Sequence, residues 1–192
     1  PGDSIHCTVT ATDSSGSADF AVASVTVGNN DPVVNALSID PATGVTSSTS
    51  LFCSVTATDA DEPNPTITYT WTNDTQNTSL GSNDSVALTP TTASPGDTIT
   101  CAVLVADSHG GSDNDSASVT VENSAPSIDS LTINPNTGVN TSSELSCTPT
   151  ITEPDEDTTT TTYAWTNDTQ NTSLGSDSTL TLTPTTVQPG DT

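Results

Sequence analysis

One feature constrains this 192-residue chain more than any other: it matches itself at an offset of 94 without a gap. Pro1-Gly2-Asp3 recurs as Pro95-Gly96-Asp97 and as Pro189-Gly190-Asp191. Cys7 falls on Cys101, Val25 and Val27 on Val119 and Val121, Cys53 on Cys147, and Trp71 on Trp165. A period of this length holds one small sandwich of strands, so the chain reads as a tandem array.

Within the period, apolar side chains alternate with polar ones. Leu51, Cys53, Val55 and Ala57 form one such run, Ile67, Tyr69 and Trp71 a second, and Ile99, Cys101, Val103 and Val105 a third. Each is the signature of a half-buried strand. Two short linkers, Gly28-Asn29-Asn30-Asp31-Pro32 and Glu122-Asn123-Ser124-Ala125-Pro126, punctuate the array with turn-forming residues and a proline that refuses a ladder hydrogen bond. The chain therefore divides into residues 1–28, which hold the last two strands of a domain, 32–121, a complete domain, and 127–192, the opening part of a third. Strands are expected near 33–39, 51–58, 66–72, 85–89, 98–106 and 116–121, with a polar segment over 73–82.

The order cysteine, tryptophan, cysteine on three alternating strands resembles the immunoglobulin-like sandwich. Ile5 and Ile99 stand two residues before Cys7 and Cys101, where antibody-type domains place a tyrosine. The likeness is therefore to bacterial or archaeal extracellular surface repeats of the polycystic-kidney-disease-like and cadherin-like kind. It implies an all-β fold of tandem immunoglobulin-like β-sandwiches, one complete and two partial. It also implies that Cys53 and Cys101 join the two sheets beside Trp71, while Cys7 and Cys147 pair with neighbouring repeat halves outside this chain. Two readings of those halves stand side by side: a window cut from a longer array, or donor-strand complementation between chains.

Charge narrows the function classes. There are 24 acidic residues and no Lys or Arg, for a formal net charge of -24. Nucleic acid is excluded as a partner, because phosphate binding needs cationic side chains to displace counterions, and an anionic membrane surface is excluded for the same reason. No apolar run approaches the length of a spanning helix, so no direct membrane insertion is expected. Four cysteines without a Cys-x-x-Cys pair or a histidine at ligand spacing favour disulfides over zinc, and hence an extracellular or cell-surface setting.

Candidate sites are few. Asp59, Asp61 and Glu62 follow one predicted strand, and Glu153, Asp155, Glu156 and Asp157 stand at the matching place in the next repeat. These Asp-x-Asp turns resemble the calcium loops of cadherin-like repeats, which makes Ca2+ the one cofactor the resemblance implies; the competing reading is solvated turn carboxylates. Residues 71–82 reappear unchanged as 165–176 and carry glycosylation sequons at Asn73, Asn77, Asn167 and Asn171, with others at Asn83, Asn114 and Asn140. The same segment also suits a polar lateral contact between copies. His6 and His109 are not equivalent in the repeat, and no catalytic residue is assigned. The expectation is a non-enzymatic structural unit of an extracellular filament, stalk or sheath, partnered by copies of itself head to tail and laterally. The alternative is the stalk of a surface adhesin or carbohydrate-binding protein.

Overall fold

A computed structural model describes residues 1–192. The chain is all-β, with fourteen strands and only antiparallel pairings. No helix is long and apolar enough to cross a membrane. Two compact units divide it, Pro1–Glu122 and Asn123–Thr192.

The first unit opens with a hairpin of β1 (Ser4–Thr12) and β2 (Ala18–Thr26), which pair from Ser4↔Thr26 to Thr12↔Ala18. Its turn is held by Asp13, whose carboxylate accepts from the backbone N–H groups of Ser15 and Ser17 at 2.8 and 2.9 Å. Every residue of both strands is exposed.

After the linker come β3 (Val33–Asp40), β4 (Ser50–Thr58), β5 (Thr66–Asn73), β6 (Thr78–Gly81), β7 (Ser85–Ala87), β8 (Thr98–Ala106) and β9 (Ser112–Thr120). They form a three-stranded sheet in the order β3-β4-β7 and a four-stranded sheet in the order β6-β5-β8-β9. Alternation sends Ile39, Leu51, Cys53, Trp71, Ile99, Cys101, Val103 and Val119 into one core, with Val45, Leu88 and Val121 from the connections. The Cys53–Cys101 disulfide joins β4 to β8 across it, with the two Cα atoms 6.4 Å apart. Trp71 pairs with Cys101 in the ladder, is fully buried, and donates its indole N–H to the Asn83 carbonyl at 3.0 Å.

Two features depart from the strand boundaries expected above. The polar 73–82 segment holds a further strand: β5 and β6 pair through Thr72↔Ser79 and Asn73↔Thr78, with a register shift between Trp71 and Thr72. The turn needs a left-handed residue, supplied by Asn77 at φ 53°. Likewise β9 starts at Ser112, not near 116, because Asp113, Asn114 and Asp115 still ladder with β8 although they offer no apolar face.

The second unit repeats the plan with fewer strands: β10 (Ser127–Asn134), β11 (Glu144–Thr152), β12 (Trp165–Asn167), β13 (Thr172–Gly175) and β14 (Thr179–Thr181). Sheets run β10-β11-β14 and β12-β13. Registers shift by 94 from those of the first unit: Ile133↔Cys147 repeats Ile39↔Cys53, Leu145↔Leu180 repeats Leu51↔Val86, and Trp165↔Gly175 repeats Trp71↔Gly81. One strand is much shorter than its counterpart. β5 covers eight residues, whereas β12 covers three, and residues 160–164 make no ladder. In the first unit the matching residues 66–70 are held by pairing with β8.

Candidate functional site

The second unit has an open core. A groove of about 520 Å³ runs along it, lined by Ile133, Val139, Leu145, Trp165, Leu180 and Leu182 among others. These are the positions that close the core of the first unit, and the comparison is quantitative. Val139 is 44% exposed where Val45 is 0%, and Ile133 is 46% exposed where Ile39 is 6%. Trp165 is half-buried and keeps the indole hydrogen bond of its counterpart, to the Asp177 carbonyl at 2.8 Å. Cys147 is a half-buried free thiol beside it in the sequence pattern, in the place Cys53 occupies in the first unit.

The floor of the groove is already built. Asn167 is buried and donates to the Asp191 carboxylate at 2.8 Å, and the Gln170 side chain and the Gln188 N–H donate to the same oxygen at 2.7 and 2.8 Å. In the first unit Asn73, Gln76 and Ser94 make the same three bonds to Asp97. Asn167 holds the Asp191 carboxyl below the usual carboxylate range, helped by the Gln188 N–H against a desolvation that opposes it. The Asp168 N–H donates to the Thr192 carbonyl at 2.6 Å, as Asp74 does to Thr98 at 2.9 Å.

The β1–β2 hairpin exposes an apolar face. Ladder pairs Ile5↔Val25, Cys7↔Ala23 and Val9↔Ala21 lie two residues apart and so share one face. Ile5, Val9 and Val25 are 56%, 62% and 66% exposed, and Cys7 is an exposed free thiol. The corresponding pairs Ile99↔Val119 and Cys101↔Ala117 of β8–β9 are the ones packed beneath β4 in the first unit.

The acidic turns bond to the linkers and to neighbouring backbone. Asp59 accepts from the N–H groups of Asp61 and Glu62 at 2.7 and 2.8 Å through one oxygen, while its other oxygen is buried without a hydrogen-bond partner. Asp61 accepts from the N–H of Asn30 at 2.7 Å, and Glu62 from the N–H of Ser108 at 2.9 Å. These donors hold both carboxyls below their ordinary range. One period on, Asp155 is buried and accepts from the N–H of Ser124 at 2.5 Å, so the linker-to-turn bond of the first unit is repeated. Glu153 accepts from the Asp155 N–H, and Asp157 is exposed. No three His, Cys, Asp or Glu side chains converge as metal ligands. A second clasp, Asn29 to Asp107 at 2.7 Å, passes Gly111, where a Cβ would stand 2.5 Å from carboxylate oxygens of both Asp107 and Asp31.

The sequons separate into two classes. Asn77 and Asn171 are exposed at the tips of their hairpins. Asn73 and Asn167 are buried, and their amide nitrogens donate to Asp97 and Asp191. A glycan on either nitrogen would remove a bond from the floor of the core. Both histidines are exposed; His109 Nδ1 lies 3.2 Å from the Ser108 hydroxyl, which donates to Glu62 at 2.8 Å, and the His109 N–H donates to Asp107 at 2.8 Å.

Sequence reasoning missed the floor of the groove. The thrice-repeated Pro-Gly-Asp reads as a surface turn, and only the Asn73 and Asp97 pair, 24 residues apart, reveals its aspartate as a buried acceptor. No protein-family model, no curated protein and no solved structure matches the chain. The disulfide itself belongs to a non-reducing setting.

Proposed function

We infer that this chain is a structural repeat unit of an extracellular filament, stalk or sheath, in which immunoglobulin-like sandwiches follow one another head to tail and are held by disulfides. One observation carries this reading. The sequence repeats without a gap at an offset of 94, and the strand registers of the Asn123–Thr192 unit repeat at that offset those of residues 32–121. A chain built on one repeated sandwich plan is suited to head-to-tail continuation.

Two further features support it. Linker backbone is tied to a turn carboxylate in each unit, Asn30 to Asp61 and Ser124 to Asp155, which orders the residues leading into each sandwich. The absence of Lys and Arg leaves no trypsin-type cleavage site, as suits an exposed extracellular fibre. Electron microscopy of material assembled at high protein concentration tests the reading. Unbranched fibres with an axial repeat of one or two sandwich lengths are expected. Isolated stalks ending in distinct heads on the native surface would instead favour an adhesin.

A further inference from the structure

We propose that Asn77 is an acceptor for N-linked oligosaccharide, with Asn171 its copy one period on, and that the neighbouring sequons at Asn73 and Asn167 are not. The inference needs an exported chain, which the disulfide supports, and does not depend on the filament reading.

Seven Asn-x-Ser/Thr triplets occur in the chain, so the motif alone selects nothing. The fold selects. Two of them, Asn73-Asp74-Thr75 and Asn77-Thr78-Ser79, share the β5–β6 hairpin. Asn73 closes β5, paired with Thr78 on one side and with Ile99 of β8 on the other. Its side chain is fully buried: the amide nitrogen donates to the Thr92 carbonyl at 3.1 Å and to the Asp97 carboxylate at 2.7 Å, and the amide oxygen accepts from the Gln76 N–H at 3.1 Å. The Thr75 hydroxyl, the other recognition group of this sequon, already accepts from the Thr98 N–H at 3.0 Å. Transfer to Asn73 would require the core to open.

Asn77 differs at each point. It is exposed at the end of the turn over 74–77, with φ at 53°. Neither its amide nor the Ser79 hydroxyl is hydrogen-bonded within the chain. Thr78 and Ser79 lie on β6, a four-residue strand at the edge of its sheet, so lifting them breaks pairing to β5 alone. Short edge pairings open more readily than a strand laddered on both sides. The second unit repeats the arrangement: Asn171 is exposed with φ 53°, while Asn167 is buried and donates to Asp191 at 2.8 Å and to the Thr186 carbonyl at 3.3 Å.

The remaining sequons are each engaged elsewhere. In Asn83-Asp84-Ser85 the Ser85 hydroxyl donates to Asp84 at 3.2 Å, and Asn114 and Ser116 lie within the β9 ladder. In Asn140-Thr141-Ser142 the Ser142 hydroxyl and N–H already donate to the Asn140 amide oxygen at 2.7 and 2.9 Å.

The reaction is glycosyl transfer from a polyprenyl diphosphate-linked oligosaccharide. The Asn77 amide nitrogen attacks the anomeric carbon, and the bond from that carbon to the diphosphate oxygen breaks with its electron pair. The nitrogen gives one of its two protons to a base of the transferase, and polyprenyl diphosphate leaves. A glycan at this tip enters solvent without displacing a core contact.

The test presents the full chain, folded and with its Cys53–Cys101 disulfide intact, to membranes carrying an oligosaccharyltransferase and its polyprenyl diphosphate-linked donor. A second sample is first reduced and alkylated at every cysteine, so that the first core cannot close. Peptide N-glycosidase in heavy-oxygen water then marks each glycosylated asparagine for mass spectrometry after cleavage at acidic residues. In the folded chain, occupancy at Asn77 and Asn171 is expected to exceed that at Asn73 and Asn167 by at least about tenfold, and the excess at Asn77 over Asn73 should shrink in the alkylated sample. Ser79→Ala, a change at an exposed position, should abolish the mark at Asn77 and leave that at Asn171. Equal occupancy of Asn73 and Asn77 in the folded chain, an Asn77 left unmarked there, or a mark insensitive to Ser79→Ala overturns the proposal. A preference for Asn77 that is unchanged by alkylation overturns selection by the fold and assigns it to the local sequence.

Discussion

Asp97 shows how a few side chains set the geometry on which the rest depends. Its carboxylate is buried and receives Ser94, Asn73 and Gln76. Burial alone would raise its proton affinity; the three donors outweigh that and hold it below the ordinary value of 3.8. Because the folded carboxylate binds its proton less tightly than the unfolded one, its contribution is complete above the ordinary value and is lost as pH falls through the lower folded value. Asp97→Asn should therefore lower the urea midpoint at neutral pH, by about 2 kcal/mol in stability for the disrupted network. The gap to the unsubstituted chain should close on acidification below about pH 4, where that chain loses the same charge. A gap independent of pH would assign the effect to packing. At this scale the sequence is least legible, since a polar Asn73 inside a sequon and an Asp after Pro-Gly both read as solvent-facing until their approach is known.

Strands were legible wherever alternation runs through Val, Ile, Leu and Cys, as in β4 and β8. They were not where the ladder is set by neighbours: β6 and the opening of β9 are polar, and backbone pairing to β5 and β8 is what orders them. The Asn77 turn is the local signal for β6. At φ 53° a β-branched residue is strained, so Asn77→Val should cost about 1–2 kcal/mol, whereas Asn77→Gly should be close to neutral. Thermal melts of the two variants read the difference. The disulfide between β4 and β8 closes a separation of 48 residues, and replacing both Cys53 and Cys101 by Ala should destabilise the first unit by about 4 kcal/mol in the chain-entropy estimate. Chemical denaturation monitored by Trp71 fluorescence, in a Trp165→Phe background, isolates that unit.

The whole molecule is governed by its repeat and by a charge of -24 without a single Lys or Arg. Self-repulsion of that size opposes both compaction and association, and salt screens it. Raising sodium chloride from about 0.05 to about 0.5 M should raise the melting temperature and favour assembly together; a salt-independent melt would mean that the carboxylates lie too far apart to matter. The array and its period were readable from one sequence because each copy keeps the same apolar schedule. The open core was readable only in outline, since exposure of Val139 and Ile133 is a property of the packed unit.

Amide hydrogen exchange tests the central claim most directly, because β8–β9 provides an internal standard for β1–β2 in the same molecule. In dilute, reduced chains the amides of Ile5, Cys7 and Val9 should exchange orders of magnitude faster than those of Ile99, Cys101 and Val103. Equal protection of the β1–β2 and β8–β9 hairpins would contradict the account.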